Sequence, residues 1–249
     1  GDQMAQTRSG LIVGLANRLD SLVGLFAAGL QPTGSSDPYQ LRRDALGIVQ
    51  NLITQEIPFS VEWGLNAAAR LLPIEASAYS VAAALQFVIE RLRGYLRDRG
   101  FSYDAVDAVL AARGDDPFRA YQAVEELTQW SARDDWSRIL DNFARCVRIT
   151  RNLDEQYQID PGLFVQPAET ELYESYTAAR EQITTESTIG EFLGAFLPMI
   201  DVIGRYFERD SGVMVMADDR ALRENRLAQL QHIAALADGI AALSRLEGF

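Results

Sequence analysis

The sequence predicts an all-α protein. Apolar residues recur at helical spacing in almost every segment, no run alternates with the two-residue period of a strand, and Pro, Gly and Asp interrupt the pattern at helix-length intervals. A chain of 249 residues with 48% hydrophobic side chains has enough apolar material for one large core or two ordinary ones.

Taken in order, the first helix is expected over Leu11–Leu30. It is the most apolar stretch, but Asn17, Arg18, Asp20 and Ser21 interrupt its centre, so no membrane span is expected. A turn follows at QPTGSSDP. Asp37 is the expected N-cap of the next helix, with Pro38 in the first position and Gln40 completing a capping box. Leu41, Ala45, Ile48, Val49 and Leu52 share one face, and Pro58 ends the element. Further helices are expected at Val61–Leu72, Ala76–Arg99, Tyr103–Arg113 and Pro117–Ser131, with breaks at Leu-Pro-Ile (72–74), Gly100 and Gly114-Asp-Asp-Pro. A longer helix runs from Asp135 to about Asn152. The loop Gln158–Pro167 separates it from a helix at Glu169–Thr185. Ile189–Phe207 carries Pro198 inside, which predicts a kink or break. The short apolar segment SGVMVM reads as a plug between helices, with methionine filling irregular gaps, and a final helix spans about Asp219–Arg245.

Composition narrows the chemistry. All 23 basic residues are arginine, and the chain holds one histidine and one cysteine. A P-loop lysine, a Schiff-base lysine, a Cys/His zinc site and a histidine triad are therefore out of reach, and the chain is poorly equipped for autonomous catalysis. The lone Cys146 precludes an internal disulfide and fits a reducing compartment, so a cytoplasmic protein is expected. The net charge of −12 opposes indiscriminate binding to nucleic acid, DNA included, but leaves room for a local arginine patch on an acidic body.

Arg42 and Arg43 stand in the first turn of their helix, where a cation faces the positive end of the dipole at a cost of about 0.3–1 kcal/mol. Arg42 flanks the apolar face and is expected to be tethered to a carboxylate or a carbonyl of the preceding loop. Arg43 points away from that face, towards solvent, a neighbouring domain or an RNA phosphate. In the helix Trp136–Asn152, Ile139, Phe143, Cys146, Val147, Thr150 and Leu153 lie on one side. Arg138, Arg145, Arg148 and Arg151 lie on the other, opposed by Asp141 alone. Guanidinium forks at that spacing suit phosphates, the alternative being pairing with the chain's own carboxylates.

In the last helix, Leu222, Leu230, Ile233, Leu236, Ile240 and Leu243 define the expected buried face. Arg226 projects towards it and needs a carboxylate, for which Asp201 and Asp218 are the candidates, because a buried unpaired charge costs several kcal/mol. Arg223 and Arg220 lie at its margin and beyond, as candidate RNA contacts. The Asn225 amide suits either a base edge or a loop cap. Tyr173, Tyr176 and Phe164 are possible stacking platforms or core residues, and His232 reads as ordinary surface chemistry. Glu62 with Glu75, and Asp115 with Asp116, read as solvated faces and caps.

Three stretches resemble the C-terminal part of the β subunit of bacterial-type, heterotetrameric glycyl-tRNA synthetase. They are LANRLDSLVGLFAAGLQPTGSSDPYQLRRDALGIVQ (15–50), GFSYDAVDAVLAAR (100–113) and VMVMADDRALRENRLAQL (213–230), in the family's order along the chain. The resemblance implies a non-catalytic portion of a longer subunit. Residues 1–34 would close an HD-like domain, 35–134 would form a helical body, and 135–249 a DALR-like anticodon-binding bundle of the type shared with arginyl-tRNA synthetases. Asn17 stands where the HD family's metal-ligating aspartate would be, and a neutral amide is a poor ligand, so no metal is expected there. Arg145 and Ile149 fit the family's R-V-x-N-I type segment, whereas Arg148 replaces its usual asparagine and would supply a phosphate contact or bidentate guanine readout. The implied partners are tRNA-Gly, the α subunit and the missing N-terminal β domains. No cofactor is implied for this region, ATP and Mg²⁺ being used at the α subunit. A helical scaffold that docks domains or subunits without touching RNA is the alternative.

Overall fold

The computed structural model describes residues 7–34, 36–209 and 212–249. Ser35 of the QPTGSSDP turn and Ser211 of SGVMVM lie outside them, as do residues 1–6. Among the described residues there are eleven α-helices and no strand, and the chain divides into two compact units, Gly1–Glu125 and Glu126–Phe249.

The first unit holds α1 (Arg8–Ala27), α2 (Leu41–Thr54), α3 (Val61–Ala69), α4 (Ala78–Arg97) and α5 (Tyr103–Arg113). α1 is long and apolar enough to cross a membrane by length and composition. Leu11, Leu19, Leu22, Val23 and Phe26 are buried, and the helix packs against α2, α3 and α4. α2 buries the expected stripe of Leu41, Ala45, Ile48, Val49 and Leu52. Each fully buried Leu or Ile stabilises by about 1.5–3 kcal/mol relative to exposure, so such a stripe, not helix propensity, decides where the helix lies.

The start of α2 departs from the sequence reading. Pro38 and Tyr39 belong to a turn, and the helix begins at Leu41, after Gln40 in the left-handed region at φ +59°. Asp37 still serves the helix end, because its carboxylate accepts from the N–H groups of Leu41 (2.9 Å) and Arg42 (3.0 Å) across that turn. Serine caps open α3, α4 and α5, through Ser60, Ser77 and Ser102.

α6 (Pro117–Ser131) contains the boundary between the units. The second unit continues with α7 (Trp136–Thr150), α8 (Pro167–Gln182), α9 (Ile189–Phe196), α10 (Met199–Tyr206) and α11 (Arg220–Ala234). The chain breaks between α9 and α10 at Leu197-Pro198, as the missing proline N–H dictates. The final helix is shorter than its periodicity suggested. After Ala234 it tightens into a 3₁₀ turn at Ala235–Ala237, Asp238 is extended, and Gly239 at φ +72° turns the chain before a last 3₁₀ turn at Leu243–Arg245. The segment at 213–216 is no uniform plug, since Val213 and Val215 are buried whereas Met214 and Met216 stay 71% and 60% exposed.

Candidate nucleic-acid interface

α7 is held by its inner face. Ile139, Leu140, Phe143 and Cys146 are buried, and the Phe143 ring meets Phe192, Phe196 and Phe249 edge-on at 5.6–6.3 Å between centroids. Burial pushes the Cys146 thiol up to about 12, which makes it an inert core group at neutral pH. This packing fixes the rotation of α7 and turns Arg138, Arg145 and Arg148 to the solvent side with Asp141.

Their charges are partly answered within the protein. Arg145 meets Asp141 at 2.9 Å, Arg148 meets the same carboxylate at 3.8 Å, and Arg138 reaches across to Asp201 on α10 at 3.1 Å. Arg148 also lies over the Phe249 ring, 5.8 Å from its centroid. All three guanidiniums remain 43–60% exposed, so these are weak solvated pairs of about 0–1 kcal/mol that an RNA phosphate can displace. Arg151 follows at the exposed C-terminal end of α7. Arg205 of α10, unremarked in the sequence, joins Arg138 and Arg145 along a groove of about 440 Å³ that also holds Asp201 and Glu208. Only its place on a helix margin could have suggested it.

α11 is buried on nearly all sides between Asn225 and Gln231, and its polar residues are clamps. Arg226 pairs neither with Asp201 nor with Asp218. Its partner is Glu169, at 2.9 Å from Nε to Oε1, and its Nη1 donates to the Met214 carbonyl at 2.9 Å. Glu169 lies on the first turn of α8, where its carboxylate also accepts from the N–H groups of Val165 (2.9 Å) and Gln166 (2.8 Å). Burial opposes its ionisation, but Arg226 and the two N–H donors outweigh burial and hold the carboxyl below the ordinary glutamate range.

Asn225 is not available to a base. It is 3% exposed, its Oδ1 accepts from the Asp160 N–H at 2.7 Å, and its Nδ2 donates to the Asp160 carbonyl at 3.0 Å. Gln231, which the sequence reading passed over, grips the same loop by its backbone closer to α7. Its Oε1 accepts from the Tyr157 N–H and its Nε2 donates to the Glu155 carbonyl. Asn225, Gln229 and Gln231, interleaved with the apolar stripe of this helix, were the available signal.

The other expected contacts are scattered. Arg220 pairs with Glu224 on its own helix at 2.6 Å, and Arg223 donates to the Ala217 carbonyl at 2.8 Å. Arg42, in the first unit, donates to the carbonyls of Gly34 (2.6 Å) and Ser36 (3.4 Å), while Arg43 is exposed. Phe164 and Tyr173 form a ring pair at 5.6 Å, and the Tyr176 hydroxyl meets His232 Nδ1 at 3.3 Å. Asn17 is exposed on α1, and no cluster of three or more His, Cys, Asp or Glu suited to a metal ion exists among the described residues.

Comparison with known proteins places this architecture. Residues 1–111 match the family described as glycyl-tRNA synthetase beta subunit. Over 99% of its length the chain is 36% identical to the glycine–tRNA ligase beta subunit of Moorella thermoacetica, and over 98% it is 37% identical to that of Desulforudis audaxviator. It is also 35% identical, along its whole length, to a chloroplastic/mitochondrial glycine–tRNA ligase of Arabidopsis thaliana. The class these relatives define is that of the glycine–tRNA ligases. Along the region it spans, the chain belongs to the glycyl-tRNA synthetase β-subunit family. It spans 36% of the length of the two bacterial relatives and 23% of the plant one.

Proposed function

We propose that this chain is a non-catalytic, tRNA-handling region of a glycyl-tRNA synthetase β subunit. Its second unit, residues 126–249, acts as an anticodon-binding bundle for tRNA-Gly, while ATP- and Mg²⁺-dependent activation of glycine belongs to a separate α subunit. The observation that carries the reading is the solvent face of α7. In a chain of net charge −12, Arg138, Arg145 and Arg148 stand on one helical face, 43–60% exposed and held only by solvated ion pairs. Such forks hold RNA phosphates in register and leave unstacked anticodon bases to be read by neighbouring groups.

The test is binding of the chain to tRNA-Gly and to an anticodon-swapped tRNA at two salt concentrations, with the Arg145→Ala/Arg148→Ala double variant alongside. The reading stands if tRNA-Gly is preferred, affinity falls by roughly 0.7–0.9 log units per phosphate contact per decade of salt, and the double variant binds more weakly. Equal binding of both tRNAs, or of variant and parent, refutes it.

A docking scaffold is the second reading. It is favoured by an apolar groove of about 810 Å³ between α1 and α3, where Ile12, Val13, Trp63 and Leu71 are exposed.

A further inference from the structure

Asn142 of α7 is 6% exposed and lines the groove between α7 and α10 together with Arg138, Arg145 and Arg205. Its Nδ2 donates to the Arg138 carbonyl of its own helix at 2.8 Å. A carbonyl only accepts, so this bond fixes which end of the amide is nitrogen and turns Oδ1 away from the α7 backbone. Oδ1 is buried and has no hydrogen-bond partner among the described residues, a state unfavourable for a carbonyl oxygen. Arg138 and Arg145 stand about one turn to either side of it, on the same flank of the helix. Each guanidinium of the groove is tied only by an exposed pair, Arg138 to Asp201 (3.1 Å), Arg145 to Asp141 (2.9 Å) and Arg205 to Glu171 (2.9 Å). On α10, Gly204 keeps the opposite wall low. A Cβ there would meet no atom within 4 Å, so the packing of the unit does not call for a glycine at this place, where it weakens the helix.

An open acceptor set among cations has a narrow choice of partner. It needs a donor, while the arginines around it repel an ammonium group and attract phosphate. The ribose 2′-hydroxyl is the donor that RNA carries between two phosphates of its own backbone. The geometry points to this groove as a ribose–phosphate subsite, in which Asn142 Oδ1 accepts from one 2′-hydroxyl of the anticodon arm while Arg138, Arg145 and Arg205 hold the phosphates on either side of that ribose. This inference rests on the anticodon-arm reading above and adds to it the group that tells RNA from DNA; it reads no base. In the free chain the Arg138–Asp201 bridge spans the groove. Its ends are 60% and 73% exposed, so a phosphate that takes Arg138 releases Asp201 and clears the approach to Oδ1.

The test is fluorescence anisotropy with the 249-residue chain and a synthetic anticodon arm of tRNA-Gly, each nucleotide in turn carrying 2′-fluoro in place of its 2′-hydroxyl. Fluorine keeps the sugar pucker of RNA and removes the donor. We expect the parent chain to lose about fivefold in affinity at one position, the scale of a single hydrogen bond. Asn142→Leu, close in volume and without an acceptor, binds the unmodified arm about fivefold more weakly and no longer distinguishes it from that 2′-fluoro arm. Gly204→Leu, which fills the groove from the α10 side, has the same effect without touching Asn142 and carries the test should Asn142→Leu fail to fold. A parent chain indifferent to 2′-fluoro at every position overturns the subsite. So does a sensitivity that Asn142→Leu or, in its place, Gly204→Leu leaves unchanged. If Arg145→Ala/Arg148→Ala still weakens binding in either case, the anticodon-arm reading survives without the subsite. A chain that binds no arm overturns both.

Discussion

Glu169 and Arg226 form a buried ion pair 57 positions apart in the chain, with side chains 0% and 5% exposed. The pair joins the first turn of α8 to the middle of α11. Removing one partner leaves the other charge uncompensated in a low-dielectric site, so Arg226→Met is expected to destabilise the second unit by about 3–5 kcal/mol. Urea denaturation followed by circular dichroism measures it. Glu169→Leu/Arg226→Met, which removes both charges, should recover much of that loss.

The same pair sets a pH dependence. The folded-state pKa of Glu169 lies below the ordinary value of 4.5, so the unfolded chain binds the proton first. Its contribution is fully present above the ordinary value and is lost as pH falls through the folded one. Glu169→Gln should lower stability at pH 7 and flatten the acid limb of the stability curve. An unchanged acid limb would show that other carboxylates govern it.

Asn225→Ala is expected to cost about 1–2 kcal/mol by removing two hydrogen bonds to Asp160. Amide exchange at Asp160 should accelerate, while tRNA affinity stays within about threefold of the parent once folded protein is compared, a change under about 1 kcal/mol. A large loss of affinity with Asp160 still protected would instead make Asn225 an RNA contact.

On the anticodon-arm reading, Asp141, which pairs with Arg145 and Arg148, competes with RNA for both. Asp141→Asn should therefore tighten tRNA-Gly binding and steepen its salt dependence, with a stability change of about 1 kcal/mol or less, because the pairs it breaks are exposed. Weaker binding would mean that Asp141 positions Arg145 instead of restraining it.

Cys146 provides an internal reporter of folding. With the thiol wholly buried and its pKa near 12, a disulfide reagent at pH 8 should label it at the rate of opening of the second unit. Arg226→Met should speed that labelling in step with its loss of stability.

Local chemistry was legible in the sequence where it acts locally. α5 and α6 span the residues expected of them, set by the breaks at Gly100 and Gly114-Asp-Asp-Pro, and Pro198 divides α9 from α10. The α2 start was not, because a left-handed Gln40 inserts a turn between the capping carboxylate and the helix, and nothing in DPYQ distinguishes that from a first helical turn. Nor was the end of α11, whose apolar period runs on past the Asp238-Gly239 turn that breaks it. Among the candidate contacts, the exposed side of α7 followed from periodicity. The partners of Arg226 and Asn225 did not, because the Glu169 carboxylate and the Asp160 backbone lie 57 and 65 positions away and only tertiary packing selects them.

The two amide clamps of α11 imply an asymmetric tolerance to change. Asn225 and Gln231 grip the 155–160 strap by its peptide groups alone, which every residue type except proline provides on both sides. Side chains along the strap before Asp160, whose own carboxylate caps the next turn, are therefore free to drift and so to tailor whatever surface it presents. Its path is written in the helix beneath, where the same freedom does not exist.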